Sequence, residues 1–89
     1  MIKIVKAEHV RDYLLQLTFS DGARGEYDFA PLLAKETVLT KPLKDIEAFK
    51  AYFIELGALC WKNGLELSPA ALYKELQVDG KLIHAEQAA

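Results

Sequence analysis

Apolar and polar residues alternate most regularly between Tyr13 and Phe29. Tyr13, Leu15, Leu17 and Phe19 share one parity, and Gln16, Thr18 and Ser20 the other. A period of two is that of a strand with one buried face. The returning segment repeats it, with Gly25, Tyr27 and Phe29 against Arg24, Glu26 and Asp28. Register chooses the loop between them, because a one-residue slip moves every side chain to the opposite face. A two-residue loop at Asp21-Gly22 would pair Leu17 with Glu26 and Phe19 with Arg24, setting core against charge. A three-residue loop, Ser20-Asp21-Gly22, pairs Phe19 with Ala23, Leu17 with Gly25, Leu15 with Tyr27 and Tyr13 with Phe29. The longer loop is therefore expected, with Gly22 in the left-handed region. Gln16/Glu26 and Thr18/Arg24 then meet on the polar face.

Around this hairpin the pattern is shorter in range. Ile2, Ile4 and Val5 open a first strand that Val10 extends, and the adjacent Ile4-Val5 predicts either a bulge or burial of both faces. Pro31 to Lys35 has room for a turn or two of helix. Glu36 to Lys44 reads as a connection anchored by Val38, Leu39 and Leu43. Asp45 is placed to cap a short helix whose Ile46, Phe49 and Tyr52 or Phe53 form an apolar stripe. Phe53 to Leu56 reads as a strand, Gly57 as a turn, and Ala58 to Trp61 as a second strand. Past Leu76, Asp79-Gly80 marks a turn, and Leu82-Ile83 adds a strand or anchors the tail.

The stretch from Trp61 to Tyr73 holds the only tryptophan. Asn63-Gly64 is a strong signal for a two-residue type I′ turn, which needs positive φ at both central residues. That turn would set Trp61 opposite Glu66 and Cys60 opposite Leu67. Ser68-Pro69 reads as a helix start, the serine hydroxyl accepting from a free backbone N–H and the proline filling the first helical position. Leu72, Tyr73 and Leu76 then make a stripe that folds back over the sheet.

These same residues carry a resemblance. Trp61-x-Asn63-Gly64-x-Glu66-x-x-Pro69-x-x-Leu72-Tyr73 resembles the closing motif of a small bacterial family known as domain of unknown function 2442. Tyr13-x-Leu15-x-Leu17-x-Phe19, Asp21-Gly22 and Tyr27-Asp28-Phe29-x-Pro31-Leu32-Leu33 fit it too, as do Leu43 and Phe49. The match spans roughly residues 5 to 73. The chain departs from the pattern at Lys62, where Pro is usual, at Glu66, where Asp is usual, and at Ala70, where an acid is common. The resemblance implies an α+β fold. It also implies one half of a two-component, toxin–antitoxin-like gene pair; longer members append a helix-turn-helix, for which this chain has no room.

Eighty-nine residues suit one domain, expected over 1–77, with 78–89 as a C-terminal tail. A chain this small buries only about 60–65% of the surface its unfolded form exposes. Its 52% hydrophobic content therefore just supplies a core, which self-association would supplement. Eleven basic residues against thirteen acidic ones, net −2, disfavour nucleic-acid binding, which needs a basic face. One cysteine excludes an internal disulfide. No run approaches the roughly 20 apolar residues of a membrane span, and Met1 to Lys6 lacks the features of a signal peptide. A cytoplasmic, membrane-free protein is expected.

Candidate chemistry is sparse. Cys60 sits between Leu59 and Trp61 on an expected interior strand and reads as a small buried hydrophobe rather than a thiolate nucleophile. His9 and His84 have no partners at metal-ligand spacing, and no phosphate loop, nucleophile elbow or HExxH helix is present. No metal, cofactor or catalytic residue is expected. Asp28 reads as a turn or cap preceding Pro31, and Asp45 as an N-cap. Glu66 beside the indole is either a half-exposed acid bonding a nearby backbone group or arginine or, with Trp61 and Tyr73, part of a binding site; these three are the candidate binding residues. The aromatics read as core, since Arg11, Arg24 and Lys62 are scattered among them rather than interleaved as in a base-stacking surface. The expected fold is α+β, a mainly antiparallel sheet of about five strands with two or three short helices on one face. The leading functional expectation is a non-catalytic protein-interaction or regulatory module, antitoxin-like in its finer form. The alternative is a small-ligand-binding or enzymatic domain with its site near Trp61 and Glu66.

Overall fold

A computed structural model of the chain describes residues 1–84. Three strands, β1 (Ile4–Arg11), β2 (Leu14–Phe19) and β3 (Arg24–Asp28), lead to α1 (Ala30–Leu33), a 3-10 turn over Lys41–Lys44 and α2 (Ile46–Lys50). Short strands β4 (Phe53–Glu55), β5 (Ala58–Cys60) and β6 (Glu66–Leu67) follow, and then α3 (Pro69–Val78). The class is α+β, as expected. The strands divide between two antiparallel sheets of three, ordered β1-β2-β3 and β4-β5-β6, where about five in one sheet were expected.

The first hairpin has the expected register. Leu15 pairs with Tyr27, Gln16 with Glu26, Leu17 with Gly25 and Thr18 with Arg24. Phe19 N–H donates to Ala23 O at 2.8 Å and Gly22 N–H to Phe19 O at 2.9 Å, so the loop is Ser20-Asp21-Gly22. Gly22 sits at φ +88°, the left-handed position that closes a three-residue hairpin loop. Leu15, Leu17 and Phe19 are buried while Gln16 and Thr18 are only half-buried. Strand β1 is irregular between Ile4 and Lys6, the bulge rather than two-sided burial, since Val5 is exposed, and again between His9 and Arg11.

Caps follow the short polar residues. Asp45 accepts from Glu47 N–H and Ser68 Oγ from Ala71 N–H, with Pro69 at the first helical position of α3. Asp28 Oδ1 accepts from Ala30 N–H at 2.9 Å and fixes the entry to α1. Such caps satisfy backbone donors that have no partner within the helix. Helix α3 buries Leu72 and Leu76 against the core.

The connection over residues 36–44 departs from expectation. Leu43 is buried, but Val38 and Leu39 are exposed. The turn is organised by hydroxyls instead: Thr37 N–H donates to Thr40 Oγ1, Thr40 N–H donates to Thr37 Oγ1, and Thr40 is the buried residue. Two threonines satisfying each other's backbone let the segment bend without burying its apolar neighbours.

After α3 the chain turns at Asp79-Gly80, and Lys81 N–H donates to Leu76 O at 2.9 Å. Ile83 then forms an isolated antiparallel bridge with Arg24, which ties this part of the tail to the outer edge of β3. Residues 85–89 of the expected tail lie outside the described residues. A single backbone bond, Ile4 N–H to Gly57 O at 2.9 Å, links β1 to the β4–β5 turn.

Candidate functional site

The second half of the chain builds its site around the indole, and the hairpin there has a different register from the one expected. Leu59 pairs with Leu67 and Cys60 with Glu66. Trp61 N–H donates to Leu65 O and Gly64 N–H to Trp61 O, so the loop is Lys62-Asn63-Gly64, three residues rather than two. Gly64 takes the left-handed position at φ +100°. The reason is the one that chose the longer loop in the first hairpin. Three residues place Leu59, Trp61, Leu65 and Leu67 on a common face, whereas two residues would set Trp61 against a carboxylate. Asn63 also bonds in both directions from this geometry, its Nδ2 donating to Leu39 O and its Oδ1 accepting from Leu65 N–H.

Trp61 is 4% exposed. Its ring stacks on Phe49 at a centroid distance of 5.9 Å and meets Phe29 edge-on at 6.2 Å. Its Nε1 donates to Phe49 O at 2.8 Å. Phe49 in turn meets Tyr13 edge-on, and the Tyr13 hydroxyl donates to the Lys44 carbonyl. Trp61, Phe49, Phe29 and Tyr13 thus form one packed cluster, with the indole N–H and the Tyr13 hydroxyl each satisfied by a backbone acceptor, as Trp and Tyr in a core require. Beside the ring edge lies an apolar recess of about 210 Å³, lined by Pro42, Leu43, Ala48, Ala51, Trp61, Lys62 and Asn63.

The other two candidate residues do not line that recess. Glu66 lies exposed on β6 opposite Cys60. Tyr73 lies on α3, its ring edge-on to Phe19 at 5.0 Å and its hydroxyl donating to Asp21 Oδ2 at 2.6 Å. Tyr73 and the Ala23 N–H hold the Asp21 carboxyl below the usual carboxylate range; slight desolvation opposes them, and His84 adds a weaker pull downward. A second phenol bonds α3 to the sheet, since Tyr27 donates to Glu75 Oε2 at 2.8 Å and burial pushes it well above the usual phenol range. Both tyrosines therefore dock the helix.

Cys60 is buried, and desolvation, with the Glu66 and Glu55 carboxylates, raises its thiol above the usual range. That is the opposite of the shift a nucleophile needs. Among the described residues, no group of three His, Cys, Asp or Glu side chains converges as a metal site would need. No helix of the described residues is long and apolar enough to cross a membrane.

The turn expected at Gly57 is present, but Leu56, expected to end the strand, belongs to it. Glu55 pairs with Ala58, so Leu56-Gly57 is a two-residue loop, and its φ angles are +51° and +83°. Positive φ at both positions is the requirement of a type I′ turn. The turn expected at Asn63-Gly64 is thus built at Leu56-Gly57. Leu56 is 90% exposed, and Phe53 and Ile54 on the adjoining strand are exposed too. A branched apolar residue in the left-handed region costs roughly 1–2 kcal/mol, and here no burial offsets it.

The family model described as "Protein of unknown function (DUF2442)" matches residues 4–77, most of the chain. The chain belongs to this family. The match runs from β1 to the last turn of α3, so the fold described above is the DUF2442 unit, and it includes Trp61, Glu66 and Tyr73. Comparison of this DUF2442 chain with curated proteins, and with solved structures, found no match.

Proposed function

We propose that this DUF2442 chain is a non-catalytic protein-interaction or regulatory module. The observation that carries the reading is the β4–β5 hairpin, which holds Leu56 at positive φ and in solvent beside exposed Phe53 and Ile54. Strain of this kind, unrewarded within the folded chain, points to a task outside it. Apolar side chains on an outer strand and its turn suit docking to another protein surface.

The recess beside Trp61 supports the same reading over its rival. At about 210 Å³ it falls below the roughly 300–1,000 Å³ of small-molecule pockets, and Glu66 does not line it. It suits a single apolar side chain from a partner. An antitoxin-like role is the finer form of the proposal. It predicts that a neighbouring gene encodes a product toxic alone and harmless when both are expressed.

Affinity purification of the full chain from its native host tests the proposal, with sedimentation equilibrium to detect self-association. The expected result is a stoichiometric partner, or a dimer, that is lost in Leu56→Asn while the folded spectrum is retained. A monomer that elutes alone would overturn it, as would a complex indifferent to changes at Leu56, Phe53 and Ile54.

A further inference from the structure

The polar face of the first sheet is not flat. Its half-buried Leu14 and Gln16 form the floor of a recess of about 570 Å³, and the segment from Gly80 to Ile83, held by the bridge to Arg24, forms one wall. Arg11, Arg24 and Lys81 all line it, although they come from β1, β3 and the turn after α3. The register shows how: Arg11 neighbours Leu14, which faces Asp28, while Arg24 lies one step beyond the Gln16/Glu26 pair.

The charges in this recess are unspent. Glu26 and Asp28 line it too, yet the ion pairs among the described residues are Lys6–Glu8 and Lys44–Glu36. Asp28 is turned to the Ala30 N–H. Three cations therefore line the recess with neither resident carboxylate within 4 Å of them, next to an amide and the apolar surfaces of Leu14 and Ile83. Guanidinium forks match a carboxylate bidentately. The two resident acids limit the charge that can enter: three positive against two negative groups leave room for one negative charge and repel a second.

We propose that this recess binds a carboxylate monoanion with an apolar body, the carboxylate held by Arg11, Arg24 and Lys81 and the body against Leu14 and Ile83. A free acid and the terminal carboxylate of a peptide present the same chemistry. The site is built on the first sheet, whereas the hairpin of β4 and β5 belongs to the second, and it stands independently of the interaction proposed there.

Two-dimensional amide NMR of the full chain tests this with four probes: hexanoate, inorganic phosphate, acetyl-Ala-Leu with a free carboxylate, and the same peptide amidated. The expected result is saturable shifts for hexanoate at the Gln16, Gly25 and Lys81 amides with a Kd of about 1 mM or tighter, and none for phosphate or the amidated peptide. Tighter binding of the free-carboxylate peptide than of hexanoate assigns the source to a chain terminus, and the reverse order to a free acid. Arg24→Gln weakens binding about tenfold; Arg11→Gln and Lys81→Gln, both at exposed positions, give the same reading should Arg24→Gln disturb the bridge to Ile83. No saturable shift, shifts centred elsewhere, phosphate binding as tightly as hexanoate, or all three variants binding like the parent would overturn the proposal.

Discussion

Replacing Leu56 by asparagine should make the protein more stable, although it removes a large apolar side chain. The Glu55–Ala58 pairing fixes a two-residue loop, and Leu56 occupies its first position at φ +51°. An ordinary L-residue pays roughly 1–2 kcal/mol there, while asparagine tolerates the left-handed region. At 90% exposure the leucine side chain contributes almost no burial to set against that cost. The net gain is therefore about 1 kcal/mol, the lower end of the strain. In a domain of this size about 1 kcal/mol moves Tm by about 4–8 °C. Differential scanning calorimetry of the parent, Leu56→Asn and Leu56→Ala separates backbone from side chain, because alanine removes the apolar bulk and keeps the strain. Asparagine should melt above both, and alanine should melt close to the parent. If asparagine melts no higher than alanine, the turn is not strained and the link drawn from strain to function loses its basis.

Three further outcomes follow from the packing and charge. Trp61→Phe strands the Phe49 carbonyl that Nε1 now satisfies, and should cost about 1–3 kcal/mol in urea unfolding for that acceptor alone; an unchanged midpoint would mean the bond is not made in solution. Tyr73→Phe should raise the Asp21 carboxyl pKa toward its ordinary value, read by carboxyl NMR. Because the folded-state value is depressed, the stability it adds is present above the ordinary carboxylate range of about pH 4 and lost as pH falls through the folded value, so the variant should lose this part of the acid dependence. Gly25→Ala would place a Cβ 2.9 Å from Lys81 O and 3.1 Å from Leu76 Cδ1, so hydrogen exchange should quicken at Arg24 and Ile83 as the tail detaches; unchanged protection would show that α3 simply shifts aside.

The two hairpins with three-residue loops show what the sequence made legible and what it hid. In the first, core residues alternate with polar ones on β2 and with charged ones on β3, so only one loop length keeps charge from opposing Leu15, Leu17 and Phe19, and the register could be read without coordinates. The second obeys the same rule, but the Asn63-Gly64 dipeptide suggested a type I′ turn strongly enough to obscure it. Applied there, face matching would have put Trp61 opposite Leu65. The type I′ turn that does exist holds a leucine, for which local propensity gives no warning. Helix starts were readable at Asp45 and Ser68 because capping is a local bond. The Thr37–Thr40 turn was not, since its hydroxyls act only once the backbone has bent. Nor was the convergence of Arg11, Arg24 and Lys81, because the bridge from Ile83 back to Arg24 spans most of the chain. The candidate residues divided similarly: the indole could be recognised as the centre of the core, while the distance of Glu66 and Tyr73 from its recess depended on tertiary placement.

The enclosed thiol of Cys60 equips the protein with a native reporter. Cys60 is only 8% exposed, so a reagent such as an aromatic disulfide reaches it chiefly when the second sheet parts, and in the regime of fast reclosing the labelling rate tracks the population of opened molecules. With one cysteine in the chain, that signal is free of interference. Any ligand or partner that clamps the second sheet would announce itself as slower labelling, in a simple absorbance assay needing no engineered dye.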